Sequence, residues 1–156
     1  MCFDVYYWAQ KTLKEWSKEI EMQSYDWKRT CEGKKKCDIL KESKRNLANL
    51  FEILINRTCN KEILEKLYLV THFSLLKEYV KAHDYYLDIA IGNAAWPIGV
   101  TMVGIHERTG RAKIFTSKIE HVMNDETQKL YIQSFKRLLT YAQAKYPTCA
   151  SKMVMN

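Results

Sequence analysis

The chain contains 156 residues, of which 47% are hydrophobic and 28% charged, and its formal net charge is +7. A chain of this length suits one domain, and its apolar content excludes an intrinsically disordered segment. Its five cysteines form no CxxC pair and no Cys/His spacing typical of zinc, which argues against a disulfide framework and a metal site. We therefore expect reduced thiols, no metal and no cofactor.

The first predicted helix covers residues 3–30, where apolar residues recur at spacings of three and four. They are Val5, Trp8, Ala9, Thr12, Leu13, Trp16 and Ile20, with Trp27 as an extension. Gly33, in a run of lysines, is predicted to break the chain before a second helix. The apolar face of that helix holds Ile39, Leu40, Ser43, Leu47, Leu50, Phe51 and Leu54.

Asn60 is a predicted N-cap for a third helix, and Glu62 suits the first turn. The helical spacing continues through Ile63, Leu64, Leu67, Val70, Leu75 and Tyr79, and a bend or restart is predicted near Lys81. A shorter fourth helix, with Tyr86, Leu87, Ile89 and Ala90, is expected to end at Gly92, a residue type that commonly terminates helices.

The last predicted helix begins after Asn124, a good N-cap, with Asp125 and Glu126 in its first turn. Its apolar residues are Leu130, Tyr131, Phe135, Leu138, Leu139 and Ala142, and Pro147 follows its end. The sequence thus predicts one all-α domain over residues 1–156, a bundle-like arrangement of five helices.

Residues 92–124 are predicted to form a loop between helices four and five, far longer than usual bundle connections. Four of the five glycines and one of the two prolines fall within residues 92–110, and residues 92–105 carry no charge. A local hairpin pairing residues 100–103 with 111–115 is an alternative. A membrane span is disfavoured, because the apolar run is short and interrupted by Gly and Pro.

Residues 28–45 contain eight basic and three acidic side chains. The basic ones are Lys28, Arg29, Lys34, Lys35, Lys36, Lys41, Lys44 and Arg45. This cluster could meet phosphate, an acidic protein or the negative surface of a larger assembly. The alternative is a solvated corner between helices.

Catalysis finds little support in the sequence. His106, beside Glu107, Arg108 and Arg111, could act as an acid–base or phosphate-binding cluster. However, no phosphate loop or nucleophile motif is present, and the zinc-deaminase pattern lacks its paired cysteines. His72, His83 and His121 are interpreted as ordinary helix or loop residues. The aromatic residues Tyr6, Tyr7, Trp8, Trp16, Tyr25 and Trp27 could stack on bases, but their helical spacing favours the core.

The segment AIGNAAWPIGVTMVGIHERTGRAKIF, followed by HVMNDETQKLYIQSFKRLLT, closely resembles the C-terminal domain of the pre-mRNA-processing factor eighteen family. The resemblance is specific over residues 79–147 and lies in helix pattern more than in identity over residues 1–78. It implies a five-helix domain whose long loop between the last two helices characterises the family. The family's charged N-terminal half is absent here, so we expect a fragment that begins at an introduced Met1.

The resemblance implies a nuclear, non-enzymatic factor of the second splicing step, which binds spliceosomal proteins including a zinc-knuckle factor through its helical body. The loop would then reach spliceosomal RNA and pre-mRNA and help to hold the 3′ splice site. We expect the loop contacts to come from Gly92, Asn93, Trp96, Pro97, Gly99, Thr101, Gly104, His106, Arg108, Arg111 and Lys113. The docking patch is expected at Lys34, Lys35, Lys36, Lys41, Lys44 and Arg45. We expect an isolated monomer that contacts no membrane.

Overall fold

The computed structural model describes residues 1–94 and 126–155. Within these ranges it contains six α-helices and no strand. The helices are α1 (Cys2–Glu21), α2 (Tyr25–Arg29), α3 (Cys31–Ile55), α4 (Lys61–Leu75), α5 (Tyr79–Ala94) and α6 (Glu126–Lys145), and a 3₁₀ turn follows at Ala150–Lys152. The all-α prediction is confirmed. None of these helices combines the length and apolar character that a membrane crossing requires.

The core surrounds α6, which packs against α1, α3, α4 and α5. Phe135 of α6 is fully buried, and its ring lies 5.2 Å from the ring of Trp8 in α1. Deeper along the interface with α3, Asn46 donates a hydrogen bond to Ser134 over 3.3 Å. The predicted apolar faces supply most of the buried side chains because helical spacing of three and four aligns them on one side.

The beginning of the chain differs from the prediction of one helix over residues 3–30. Helix α1 ends at Glu21, and the short α2 starts after Ser24, whose side chain accepts a hydrogen bond from the Trp27 amide. Thr30 then caps α3 by accepting from the Gly33 amide over 3.0 Å. The hydroxyl caps of Ser24 and Thr30 therefore interrupt a stretch that the apolar spacing predicted as one continuous helix.

Gly33 does not break the chain; it lies in the first turn of α3, so that prediction was wrong. A side-chain carbon built on Gly33 would lie 2.0 Å from the carbonyl oxygen of Trp27. The glycine is thus required for the close approach of α2 to α3, not for terminating a helix.

The turn between α4 and α5 also lies elsewhere than predicted. Asn60 caps α4 as expected, accepting from the Glu62 amide over 2.9 Å. The helix, however, ends at Leu75, and Lys77 adopts a left-handed backbone with φ 59°. The Glu78 amide bonds to the Phe73 carbonyl, as in a Schellman motif. Tyr79 therefore begins α5, and the predicted restart near Lys81 is corrected to residues 76–78.

Helix α5 runs to Ala94, two residues beyond Gly92, so the predicted end at Gly92 is also wrong. One interior glycine costs a helix about 1 kcal/mol, which neighbouring turns can offset. The last predicted helix is confirmed as α6. Its predicted N-cap, Asn124, and the predicted first-turn residue Asp125 lie outside the described residues. The alternative hairpin over 100–115 lies there too.

Candidate functional site

The predicted loop residues divide into two groups. Gly92 and Asn93 lie in the last turn of α5, not in a connection after it. The others, Trp96, Pro97, Gly99, Thr101, Gly104, His106, Arg108, Arg111 and Lys113, lie outside the described residues. Helices α5 and α6, which precede and follow residues 95–125, pack against each other. The helical body therefore holds the two ends of this segment on neighbouring helices.

The predicted docking patch lies on the first half of α3, and all six of its side chains are exposed. Lys36 pairs with Glu32 over 3.2 Å, and Lys44 donates to the Ser17 hydroxyl over 2.7 Å. Beside the patch, Lys28 donates to the Glu21 carbonyl over 3.0 Å. Part of the basic cluster is thus committed to contacts within the protein.

The side chains of Lys34, Lys41 and Arg45 make no ion pair or hydrogen bond with any residue in the described ranges. They are separated by seven and four positions, so they share one face of α3. That face lies opposite the buried Leu40, Ser43 and Leu47 side, and it points to solvent. We call these three residues the basic row.

A cleft that the sequence analysis missed lies between α1, the α4–α5 turn and the end of α6. Its volume is about 410 Å³. Its lining comprises Asp4, Tyr7, Trp8, Lys11, Thr12, Glu15, Ser74, Leu75, Lys77, Tyr79, Ala142 and Tyr146, and we call this region the apolar cleft. Tyr7 is 66% and Leu75 is 65% exposed at its rim. Large apolar side chains left exposed around a concavity are typical of interaction sites.

The apolar cleft has a polar floor. Tyr79 is fully buried, and its hydroxyl donates to the carbonyls of Ala142 and Tyr146 at the end of α6. Burial, and next the neighbouring Tyr146, raise the pKa of the Tyr79 hydroxyl. Ser74 is only 5% exposed, and its hydroxyl has no hydrogen-bond partner within the described residues. The floor therefore contains a buried hydroxyl that has no hydrogen-bond partner among the described residues.

The cleft rim is held by a contact between the two ends of the chain. The Tyr146 hydroxyl donates to both carboxylate oxygens of Glu15, over 2.8 and 3.0 Å. This hydrogen bond is the main reason that the pKa of Tyr146 is raised. Lys11 also approaches Glu15, at 4.0 Å. Exposed contacts such as those of Glu15 with Tyr146 and Lys11 add little to the stability of the fold, but they fix the shape of the cleft opening.

A smaller cavity of about 170 Å³ lies between α5, α6 and the C-terminal residues. His83 and Lys136 line it, and Gln143 exchanges two hydrogen bonds with the backbone of Val154. Burial, followed by the charge of Lys136, lowers the pKa of His83, which Asp84 partly opposes. Among the described residues that line this cavity there is no cysteine, serine or carboxylate.

The described residues contain no group of three His, Cys, Asp or Glu side chains suited to a metal ion. Among the aromatic residues considered for base stacking, Trp8 is buried, Trp16 stacks on Tyr141, and Tyr6 meets Phe51 edge to face. Tyr7 and Tyr25 are exposed instead, and Arg29 covers the Tyr25 ring. The interpretation as core residues thus holds for Trp8, Trp16 and Tyr6, while Tyr7 belongs to the apolar cleft.

Comparison with known proteins gives one consistent result. Residues 6–148 match the family model described as the Prp18 domain. The chain is 49% identical over 142 residues to the pre-mRNA-splicing factor 18 of Bos taurus, covering 91% of this chain and 42% of that protein. The Schizosaccharomyces pombe protein of the same name is 30% identical over 134 residues, which cover 86% of this chain and 39% of the relative. The chain thus spans less than half the length of these relatives. No solved structure matches it significantly.

Proposed function

We propose, since the chain belongs to the Prp18 domain family, that it is a nuclear pre-mRNA splicing factor acting in exon ligation without catalysing a reaction itself. The observation that carries this proposal is the family match, which covers residues 6–148, from α1 to just beyond the end of α6. The matched range includes the uncharged residues 92–105, which carry the proposed activity.

In this proposal the helical body docks onto spliceosomal proteins, including a zinc-knuckle second-step factor. The apolar cleft supports a protein partner, because exposed Tyr7 and Leu75 could be covered there. The docking patch adds electrostatic attraction through Lys34, Lys35, Lys36, Lys41, Lys44 and Arg45. Reversing Lys34, Lys35 and Lys36 to Glu should therefore weaken association with spliceosomal partners at physiological salt.

The loop is proposed to contact RNA and to help hold the 3′ splice site. Its glycines, Gly99 and Gly104, would let the backbone approach closely, while Pro97 restricts the course of the chain. Arg108 and Arg111 would supply charge-assisted hydrogen bonds to phosphate, each worth roughly 1.5–3 kcal/mol when desolvated. Trp96 would pack its ring on a neighbouring surface.

The deciding experiment removes residues 95–110, starting after Ala94 so that α5 is kept whole. A second variant replaces the same residues by an equally long Gly/Ser segment, which preserves the length of the connection. Circular dichroism should show helix content near that of the wild type, because loop-closure free energy depends weakly on length. Exon ligation in an extract depleted of the endogenous factor should fail with both variants. Normal ligation by either well-folded variant would refute the role of the loop.

A second candidate function is a protein-interaction module whose loop does not contact RNA, and the apolar cleft is the observation that favours it. Crosslinking of loop residues to RNA in assembled complexes distinguishes the two, since this alternative predicts protein crosslinks only. A phosphate-handling enzyme centred on His106 would require turnover by the purified chain.

A further inference from the structure

Six of the eight basic residues in 28–45 form two sets of three, and Arg29, which lies over the Tyr25 ring, and Lys35 belong to neither. In the first set, Lys28 donates to the Glu21 carbonyl, Lys36 pairs with the Glu32 carboxylate and Lys44 donates to the Ser17 hydroxyl. The basic row, Lys34, Lys41 and Arg45, is exposed and forms no such contact within residues 1–94 and 126–155. A long side chain without an internal partner can move its charge to an external anion without first breaking a contact.

The basic row also has a defined geometry. Lys34 and Arg45, the two ends of the row, are eleven residues apart on α3, which corresponds to about 16 Å along the helix axis. The opposite side of α3 is anchored by Leu40, Leu47 and other buried residues, so the helix cannot rotate the row away from solvent. Exposed Asp38, four residues after Lys34, lies on the same face and reduces the local charge from +3 to +2, so an excess of positive charge remains.

The surroundings of the row favour a polyanion over a protein segment. Protein interfaces depend on buried aromatic or aliphatic anchors, and lysine is depleted from them. Ile39, which is 39% exposed, is the large apolar side chain exposed on this half of α3, and its helical position places it well to the side of the row. A phosphate backbone needs no apolar anchor, because cations alone supply the affinity.

We propose that the basic row binds the phosphodiester backbone of RNA without reading its sequence. The inference rests on the proposed function, since it assigns RNA as one partner of the docking patch. Lys34, Lys41 and Arg45 contact phosphates, while Lys28 and Lys44 link α2 and α3 to α1 and Lys36 pairs with Glu32 within α3. Residues 34–45 of α3 include no aromatic residue, so this segment itself offers no ring for base stacking.

The experiment measures binding of the purified chain to a labelled single-stranded oligouridine of about 12 nucleotides, a usual site size. Salt is varied between about 50 and 200 mM, where electrostatic contacts change affinity most clearly. The row variant carries Lys34→Gln, Lys41→Gln and Arg45→Gln. The matched control carries Lys28→Gln, Lys36→Gln and Lys44→Gln, which removes the same net charge. Circular dichroism confirms that both remain folded.

The row variant should bind at least about tenfold more weakly at the lowest salt, and its slope of log affinity against log salt should become about 2 less steep. The control should retain affinity within about threefold and most of the slope. The single variant Lys41→Gln should lower the slope by about 0.7 and provides the same test if the triple variant is unstable.

Equal losses in the row variant and its control would overturn the proposal, because the binding would then follow net charge alone. Displacement of the RNA by polyglutamate at equal charge concentration would also overturn it, since the row would then suit an acidic protein segment. The row is judged by this binding experiment, whereas the proposed function is judged by exon ligation with the loop deletion. Failure of one is thus distinguishable from failure of the other.

Discussion

The apolar cleft and the basic row lie on the same helical body but depend on different parts of its structure. The cleft requires α1, α6 and the α4–α5 turn to meet, so its shape depends on contacts between residues far apart in sequence. The row belongs to α3 alone, so its shape follows from the helical repeat. Binding at the row should weaken steeply with salt, whereas binding in the cleft should change little. A single domain can therefore hold two partners that respond to different conditions.

The largest expected effect on stability comes from Gly33→Ala, which tests whether the basic region can be disturbed without the cleft. Alanine favours a helix over glycine by about 1 kcal/mol, but its side-chain carbon would meet the Trp27 carbonyl. We expect overpacking to prevail and to lower the free energy of unfolding by about 1–3 kcal/mol. Urea denaturation measures this change.

The matched control for Gly33→Ala is Cys37→Ala, one turn further along α3 and half-buried, where the native residue already carries a side-chain carbon. It should change stability by less than about 0.5 kcal/mol. A stabilised Gly33→Ala variant would show that α2 moves freely against α3.

The next effect concerns the floor of the apolar cleft. Tyr79→Phe removes the hydroxyl that donates to the carbonyls of Ala142 and Tyr146. The Ala142 carbonyl keeps the hydrogen bond from the Tyr146 amide, whereas the part-buried Tyr146 carbonyl loses this donor. The free energy of unfolding should fall by about 1–1.5 kcal/mol. The same change at exposed Tyr7 is the control and should have almost no effect. If both variants unfold alike, the Tyr79 hydroxyl does not hold α6.

Thr71→Val should act in the opposite direction. Thr71 is buried behind the cleft, one turn before Ser74, and its hydroxyl has no partner among the described residues. Valine keeps the shape and removes the unpaired group, so stability should rise by up to about 1 kcal/mol. Thr140→Val, at an exposed position of α6, is the control in a thermal melt. A lower melting temperature for Thr71→Val would mean that the hydroxyl finds a partner in solution.

The smallest effect is a pH dependence at the second cavity. Burial and then Lys136 lower the pKa of His83, with Asp84 opposing them. The unfolded chain thus binds more protons than the folded chain just below pH 6.5, so this contribution is present above that pH and is lost as the pH falls. His83→Gln should reduce the difference in unfolding free energy between pH 7 and 5.

The control for the pH experiment is His72→Gln, which removes an exposed imidazole from α4 without touching this cavity. An unchanged pH dependence in the His83 variant would assign the effect to other groups.

The sequence predicted the elements that depend on local signals. Asn60 was recognised as a cap because its effect requires only the next two residues. The Lys77 turn was missed because its left-handed residue is a lysine, so no glycine marks it. Gly33 was wrongly predicted to break the chain, because the need for a glycine comes from the nearby Trp27 carbonyl in α2 and not from the backbone of α3 itself.

The candidate sites divide in the same way. The basic cluster was predicted because charge can be counted along the chain, but the division into tied and free lysines depends on side-chain contacts such as that of Lys44 with Ser17. The apolar cleft could not be predicted, since it forms only when Tyr7, Leu75 and Tyr146 come together from three regions. The bounds of the predicted loop come from its glycines, its proline and its uncharged run, whereas the role predicted for it comes from the family resemblance.

The central position of α6 has a consequence for synthesis in the cell. Helices α1 to α5 leave the ribosome first, and about 50 further residues must be added before α6 is complete, which takes about 3–10 s at usual rates. Throughout that interval Trp8 lacks the Phe135 ring, and Asn46 lacks Ser134. Until α6 is made, the apolar faces of α1, α3, α4 and α5 that it covers stay exposed, so we expect the domain to complete its folding only after translation of its last helix.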